Sequence, residues 1–265
     1  MLRTFVERKV RRQIVQRSLI ISTLGFAAIV ALWNTPALAG LAHPLRMFIN
    51  NIHGGLTAFA MQVSGGTVAS FTLSEAGAYT LLFQDGAEAL IMSAGYLGSA
   101  LLGALLFYLV NRAPHLLRGL SLVLGVFTIG FLALFIRPDA AGDWLSLLVC
   151  LGFGALLIFL GATGAGDINQ LRSRKSITQI VLSIIALTTT LHIVLDLPAV
   201  LTTPATSGDT ITNPVAYFAK YVMPGASVEA VAYSWSAIAI ALLGAAFHLA
   251  IVRPLRQIPK NEDIV

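Results

Sequence analysis

Six apolar runs set the terms for this chain: Ser18–Leu38, Ala87–Val110, Leu117–Ile136, Leu145–Ala162, Ile177–Leu201 and Val228–Val252. About 20 such residues in a helix cross the roughly 30 Å hydrocarbon core of a bilayer. Composition agrees, because only 11% of the 265 residues are charged. A soluble domain carries about 25%, so this chain cannot cover a water-facing surface. The spacing predicts an all-α integral membrane protein of about six transmembrane helices. Residues 18–252 form one transmembrane domain, between a basic amphipathic segment at 1–17 and a basic and polar tail at 253–265.

Two segments break the apolar pattern. Pro44 to Val63 has helical period but carries Asn50, Asn51, His53 and Gln62. The sequence predicts a polar helix over 44–63 that is re-entrant or only partly inserted, since polar groups at depth need cover from protein or water. From Gly66 to Phe83, Thr, Val, Phe and Tyr flank Glu75-Ala76-Gly77, the pattern of a small β-hairpin. Residues 202–227 form the longest polar linker.

The net charge of +5 excludes little until its distribution is read. Six of the 17 Lys and Arg fall in the first 17 residues, and most others flank apolar runs. That is orientation charge, not a nucleic-acid surface. With six crossings the basic residues divide 14 against 3, the three being Arg46, Arg137 and Lys220. A seventh crossing by 44–63 would make the division 8 against 9 and erase the bias. Charge thus favours six spans with the N-terminus cytoplasmic. Ala37-Leu38-Ala39 looks like a signal-peptidase site, but the basic region is long for a signal, and the first run is read as an uncleaved anchor. Trp33 and Trp144 stand at span ends, as an interfacial aromatic belt would place them. Cys150 is the only cysteine, so no intrachain disulfide forms.

Polar groups at membrane depth are functional candidates by default. His192 and Asp196 are four apart and share a helix face. That face ends on the hairpin's side of the membrane, so His53, His192 and Asp196 can converge. His248, five residues before Arg253, belongs near the other side. It is a packing histidine or a pigment or haem ligand, and a haem shared with His192 is disfavoured. Gly95, Ser99 and Gly103 form a small-residue stripe for packing within the protein or against a partner.

His53, then Gly65-Gly66 and the hairpin, then Ala94-Gly95-Tyr96-Leu97-Gly98-Ser99 occur in an order that resembles the membrane-embedded zinc metalloproteases of the site-2 protease type, in their shorter bacterial peptidase-like branch. The likeness spans roughly residues 18–252, and its specific part is 53–103. Leu195-Asp196-Leu197 stands where that family has an acidic residue on a later helix. The resemblance implies a bacterial inner membrane and a His-Glu-x-x-His zinc site, but the motif here reads His53-Gly54-Gly55-Leu56-Thr57. In a working site the two histidines bind zinc and the glutamate takes a proton from the metal-bound water. Gly54 has no base and Thr57 is not a usual ligand. His192 could replace the lost histidine beside His53 and Asp196, yet a base would still be missing, and Glu75, Asp85 and Glu88 are the only nearby carboxylates. No catalytic residue and no cofactor is expected. The leading expectation is an inactive relative that binds the bilayer and another integral membrane protein, as an accessory or assembly subunit. An unorthodox zinc protease using His53, His192 and Asp196 is the first alternative, and a pigment-bearing, haem-bearing or transport subunit the second.

Overall fold

The structure, a computed structural model, describes residues 20–256 apart from 22, 34, 74–78, 136–140, 164–167 and 208–209. The basic segment 1–17, the hairpin turn at Glu75-Ala76-Gly77 and most of the 253–265 tail lie outside the described residues.

Among the described residues, seven helices carry the fold. They are α1 (Thr23–Trp33), α2 (Ala39–Val63), α3 (Glu88–Arg112), α4 (Pro114–Leu134), α5 (Trp144–Ala162), α6 (Ile168–Thr190) and α7 (Val228–Arg256). Among the described residues, four of them, α3, α4, α5 and α7, are long and apolar enough to cross a membrane. Two shorter apolar segments accompany them, Thr23–Trp33 and Ile177–Thr190. The first turns of α6 hold Arg172, Arg174 and Lys175, which is why that helix is apolar only in its second half. Beyond Thr190 the chain keeps its helical bonding. Leu195 N donates to Leu191 O, Asp196 N to His192 O and Val200 N to Asp196 O, all at 2.9 Å.

The polar helix α2 is one piece of 25 residues that starts at Ala39, five residues before the predicted Pro44, with that proline inside its first turns. As the sixth residue of the helix, Pro44 leaves the Gly40 carbonyl without its i→i−4 donor, yet the helix runs through it. α2 is packed on several sides. Phe48 stacks on Phe153 of α5 with ring centroids 4.7 Å apart. The Cys150 thiol donates to the Met47 carbonyl at 3.7 Å. A Cβ at Gly55 would lie 3.2 Å from the Phe127 ring of α4.

At the end of α2 the chain turns through Gly65, whose φ of +86° only glycine adopts freely. Gly66 follows, and a Cβ there would stand 2.5 Å from the Asp85 carbonyl, so the two ends of the hairpin can meet only at a glycine. Strands β1 (Thr67–Leu73) and β2 (Tyr79–Gln84) pair antiparallel from Thr67 opposite Gln84 to Leu73 opposite Tyr79, with an irregularity between Val68 and Ser70.

The predicted linker 202–227 is more ordered than its polarity suggests. Thr206–Ser207 (β3) and Thr210–Ile211 (β4) extend the hairpin into a four-stranded sheet of order β1-β2-β4-β3, with Leu81 opposite Ile211. Asn213 then ties the linker down. Its side-chain amide donates to the Val200 and Thr203 carbonyls at 2.7 and 2.8 Å. Its Oδ1 accepts from Val215 N and Ala216 N, both at 3.1 Å. Asn213→Ala is expected to cost about 2 kcal/mol, since a lost cap and lost buried hydrogen bonds each contribute near 1 kcal/mol. Thermal melting followed by a thiol-reactive dye on buried Cys150 measures it, and an unchanged melt would refute the structural role.

Candidate functional site

His53 sits in the middle of α2, fully buried. Thr57, one turn on, donates its hydroxyl to the His53 carbonyl at 3.1 Å. The position that would carry a second histidine is therefore turned back into the helix backbone.

Two elements close on the His53 ring. The first is α3, whose helix widens into a π turn over Ala94–Gly98. Such turns insert an extra residue and are frequent at functional sites. Here the turn buries the neighbours Gly95 and Tyr96 together. A Cβ at Gly95 would fall on the His53 ring, nearest its Nε2, so only glycine fits. The Tyr96 ring stands edge-on to His53 at 4.2 Å between centroids. The second element is the turn His192–Leu195 that continues α6. The His192 ring lies 5.1 Å from that of His53 and 5.3 Å from that of Tyr96.

Asp196 completes the group at its wet edge. Its Oδ2 accepts from the Tyr96 hydroxyl at 3.3 Å and lies 3.8 Å from His192 Nε2, with the carboxylate 31% exposed and the imidazole 2%. A polar cavity of about 140 Å³ opens on Asp196 between Asn50, Tyr96, Thr203, Thr212 and Asn213. Behind Tyr96, Trp235 of α7 stands 6.3 Å away, and Phe218 packs edge-on against Trp235 at 5.2 Å. The arrangement is a buried imidazole pair linked through a phenol and a carboxylate to a small polar vestibule.

The sequence-predicted residues are thus divided by the fold. His53, His192 and Asp196 come together, and His248 does not join them, lying exposed in another π turn at His248–Val252. Asp85 occupies the hairpin's end at φ 61°, and Glu88 accepts from the Tyr217 hydroxyl at 3.4 Å. Glu75 lies outside the described residues. In the small-residue stripe, Gly95 meets His53, while a Cβ at Gly103 would stand 2.5 Å from Thr190 N. Ser99 between them is buried. Two members of the site were not foreseen as such. Tyr96 was visible only as part of a Gly-Tyr-Leu-Gly run, and Trp235 carried no signal apart from its size.

A zinc ion needs three protein ligands aimed at one point. His53, His192 and Asp196 as placed do not fit one. The Tyr96 ring packs against both imidazoles, and its hydroxyl engages the Asp196 carboxylate oxygen nearest His192. Among the described residues no group of three or more His, Cys, Asp or Glu side chains could hold a metal ion.

Long apolar helices around a buried His-Tyr-His cluster define an integral membrane protein with a polar site inside its helical bundle. The sequence model of the Peptidase M50B-like family matches residues 22–246. The chain belongs to that family, which is of the site-2 protease type. No curated protein and no solved structure matches it.

Proposed function

We propose that this protein is a proteolytically inactive member of its family that works by binding another integral membrane protein, as an accessory or assembly subunit of a membrane complex. The observation that carries this reading is Gly54, which stands where a working site has its general base. The packing supports it: the Tyr96 ring lies against both imidazoles and its hydroxyl is bonded to Asp196. The Glu88 carboxylate is engaged with the Tyr217 hydroxyl, and Thr57 with the backbone. Aromatic contacts and a hydrogen bond hold together what a metal would hold in an enzyme. The bilayer is the protein's solvent, and we place it in a bacterial inner membrane with a cytoplasmic N-terminus, following the family branch and the charge of its first 17 residues.

One observation favours a second reading. The convergence of His53, His192 and Asp196 supplies the donor types of a catalytic zinc site, two imidazoles and a carboxylate. Metal content by mass spectrometry on detergent-purified protein, beside His53→Ala, separates the two. The expected result is no stoichiometric zinc in either sample, with discrete polypeptides co-purifying in both. One zinc per chain, lost in His53→Ala, would overturn the accessory reading.

A further inference from the structure

A second cavity lies away from the polar site. It is a groove of about 680 Å³ between α1, the His192–Leu195 turn and α7, walled by residues such as Phe26, Trp33, Leu191, Pro198, Leu243 and Phe247. Apart from Thr23 and the Trp33 indole nitrogen, its wall offers only hydrocarbon. Small-molecule sites range over about 300–1,000 Å³, so the groove is large enough for a ligand. Within a bilayer the candidates are a lipid chain or an apolar helix.

A cation beside Trp33, a residue of the groove wall, decides between them. The Arg46 guanidinium lies over the Trp33 ring, 4.8 Å from its centroid, and Nη2 donates to the Trp33 carbonyl at 3.4 Å. Trp33 ends α1, so that carbonyl is one a helix terminus leaves open. One long bond uses little of a guanidinium with five donors. Arg46 Nε is buried with no hydrogen-bond partner, and no carboxylate among the described residues pairs with Arg46. A guanidinium fork of this kind matches the oxygens of a phosphate. An apolar helix would fill the groove and leave this cation without a counter-charge.

We propose that the groove binds one molecule of an anionic glycerophospholipid, with an acyl chain between α1 and α7 and the phosphodiester on Arg46. The Trp33 indole then sits at headgroup level, where tryptophan is enriched in membrane proteins. This site is separate from the His53 cluster and independent of the accessory reading.

The test uses the full chain in detergent micelles, with dioleoyl phosphatidylglycerol or dioleoyl phosphatidylcholine added, and native mass spectrometry counting the lipids retained. The anionic lipid is expected as a one-to-one adduct, retained about tenfold better than the zwitterionic one, whose choline cation offsets the attraction of its phosphodiester for Arg46. Arg46→Gln is expected to remove that tenfold preference, lowering phosphatidylglycerol retention more than that of phosphatidylcholine, whose own phosphodiester also loses its partner. Gly244→Leu serves as the second variant. A Cβ at Gly244, on the groove wall, meets nothing within 4 Å, so the larger side chain fills the groove without displacing protein. It is expected to abolish the adduct with either lipid while the melting of the protein is unchanged. Equal retention of the two lipids would overturn the proposal. So would an anionic adduct that survives both variants, or a co-purifying polypeptide that neither lipid displaces and that Gly244→Leu releases.

Discussion

Gly103→Ala is expected to lower stability by about 3 kcal/mol, the upper range for overpacking a tight core. In a protein of this size that is a fall of about 9 °C in melting temperature. The added Cβ would stand 2.5 Å from both Thr190 N and Thr190 Oγ1, and 2.7 Å from the Ala186 carbonyl. These are backbone atoms of α6 and a hydroxyl already bonded to that same carbonyl at 2.7 Å, so no flexible side-chain end can swing away. Alanine's better helix propensity returns only about 1 kcal/mol. The control is Gly130→Ala in α4, where nothing lies within 4 Å. It is expected to melt at or slightly above the parent temperature. Cys150 reports both melts, since its thiol is buried and no other cysteine competes for the dye. Equal melting of the two variants would mean that α3 and α6 do not meet at Gly103.

How far the sequence foretold this arrangement depended on how local each signal was. The spacing of His192 and Asp196 fixes them on one helix face, and the hairpin connects α2 to α3 at the end where α6 also finishes. Convergence with His53 followed from those two facts. The hairpin strands were legible because Thr67–Leu73 and Tyr79–Gln84 are rich in β-branched and aromatic residues. The role of Tyr96 was not, because it depends on a π turn. The extra residue at Ala94–Gly98 shifts the helix register, and no 3.6-residue pattern reveals that shift. The order inside the 202–227 linker is hidden from the sequence for a related reason. Strands of two residues, such as Thr206–Ser207, are too short to show a period. Asn213 before Pro214 did offer a usable cue, a capping residue followed by proline at the first helical position. Trp235 reaches the site only through tertiary packing, across a separation that no local pattern bridges.

The pair Gly95 and His53 allows the site to be tested as a unit. Gly95→Ala alone is expected to cost about 3 kcal/mol, because its Cβ falls on the imidazole and would lie 2.7 Å from both Cδ2 and Cε1. The ring has little room to retreat, with Tyr96 at 4.2 Å and His192 at 5.1 Å between centroids. In a His53→Ala background the same substitution is expected to cost under about 0.5 kcal/mol, since the clashing ring is gone. The coupling in the double-mutant cycle should then be about 2.5 kcal/mol, toward the upper end for residues in contact. Additive costs would show that Gly95 does not close on His53 and would remove the packing basis for the site. Repeating the four melts with a zinc chelator extends the test to function. If His53 is retained for contact with Gly95 and Tyr96, the chelator shifts none of them. A ligand that binds only the folded state stabilises it, so a chelator-dependent fall in the parent protein, absent from His53→Ala, would mean that the histidine holds a metal.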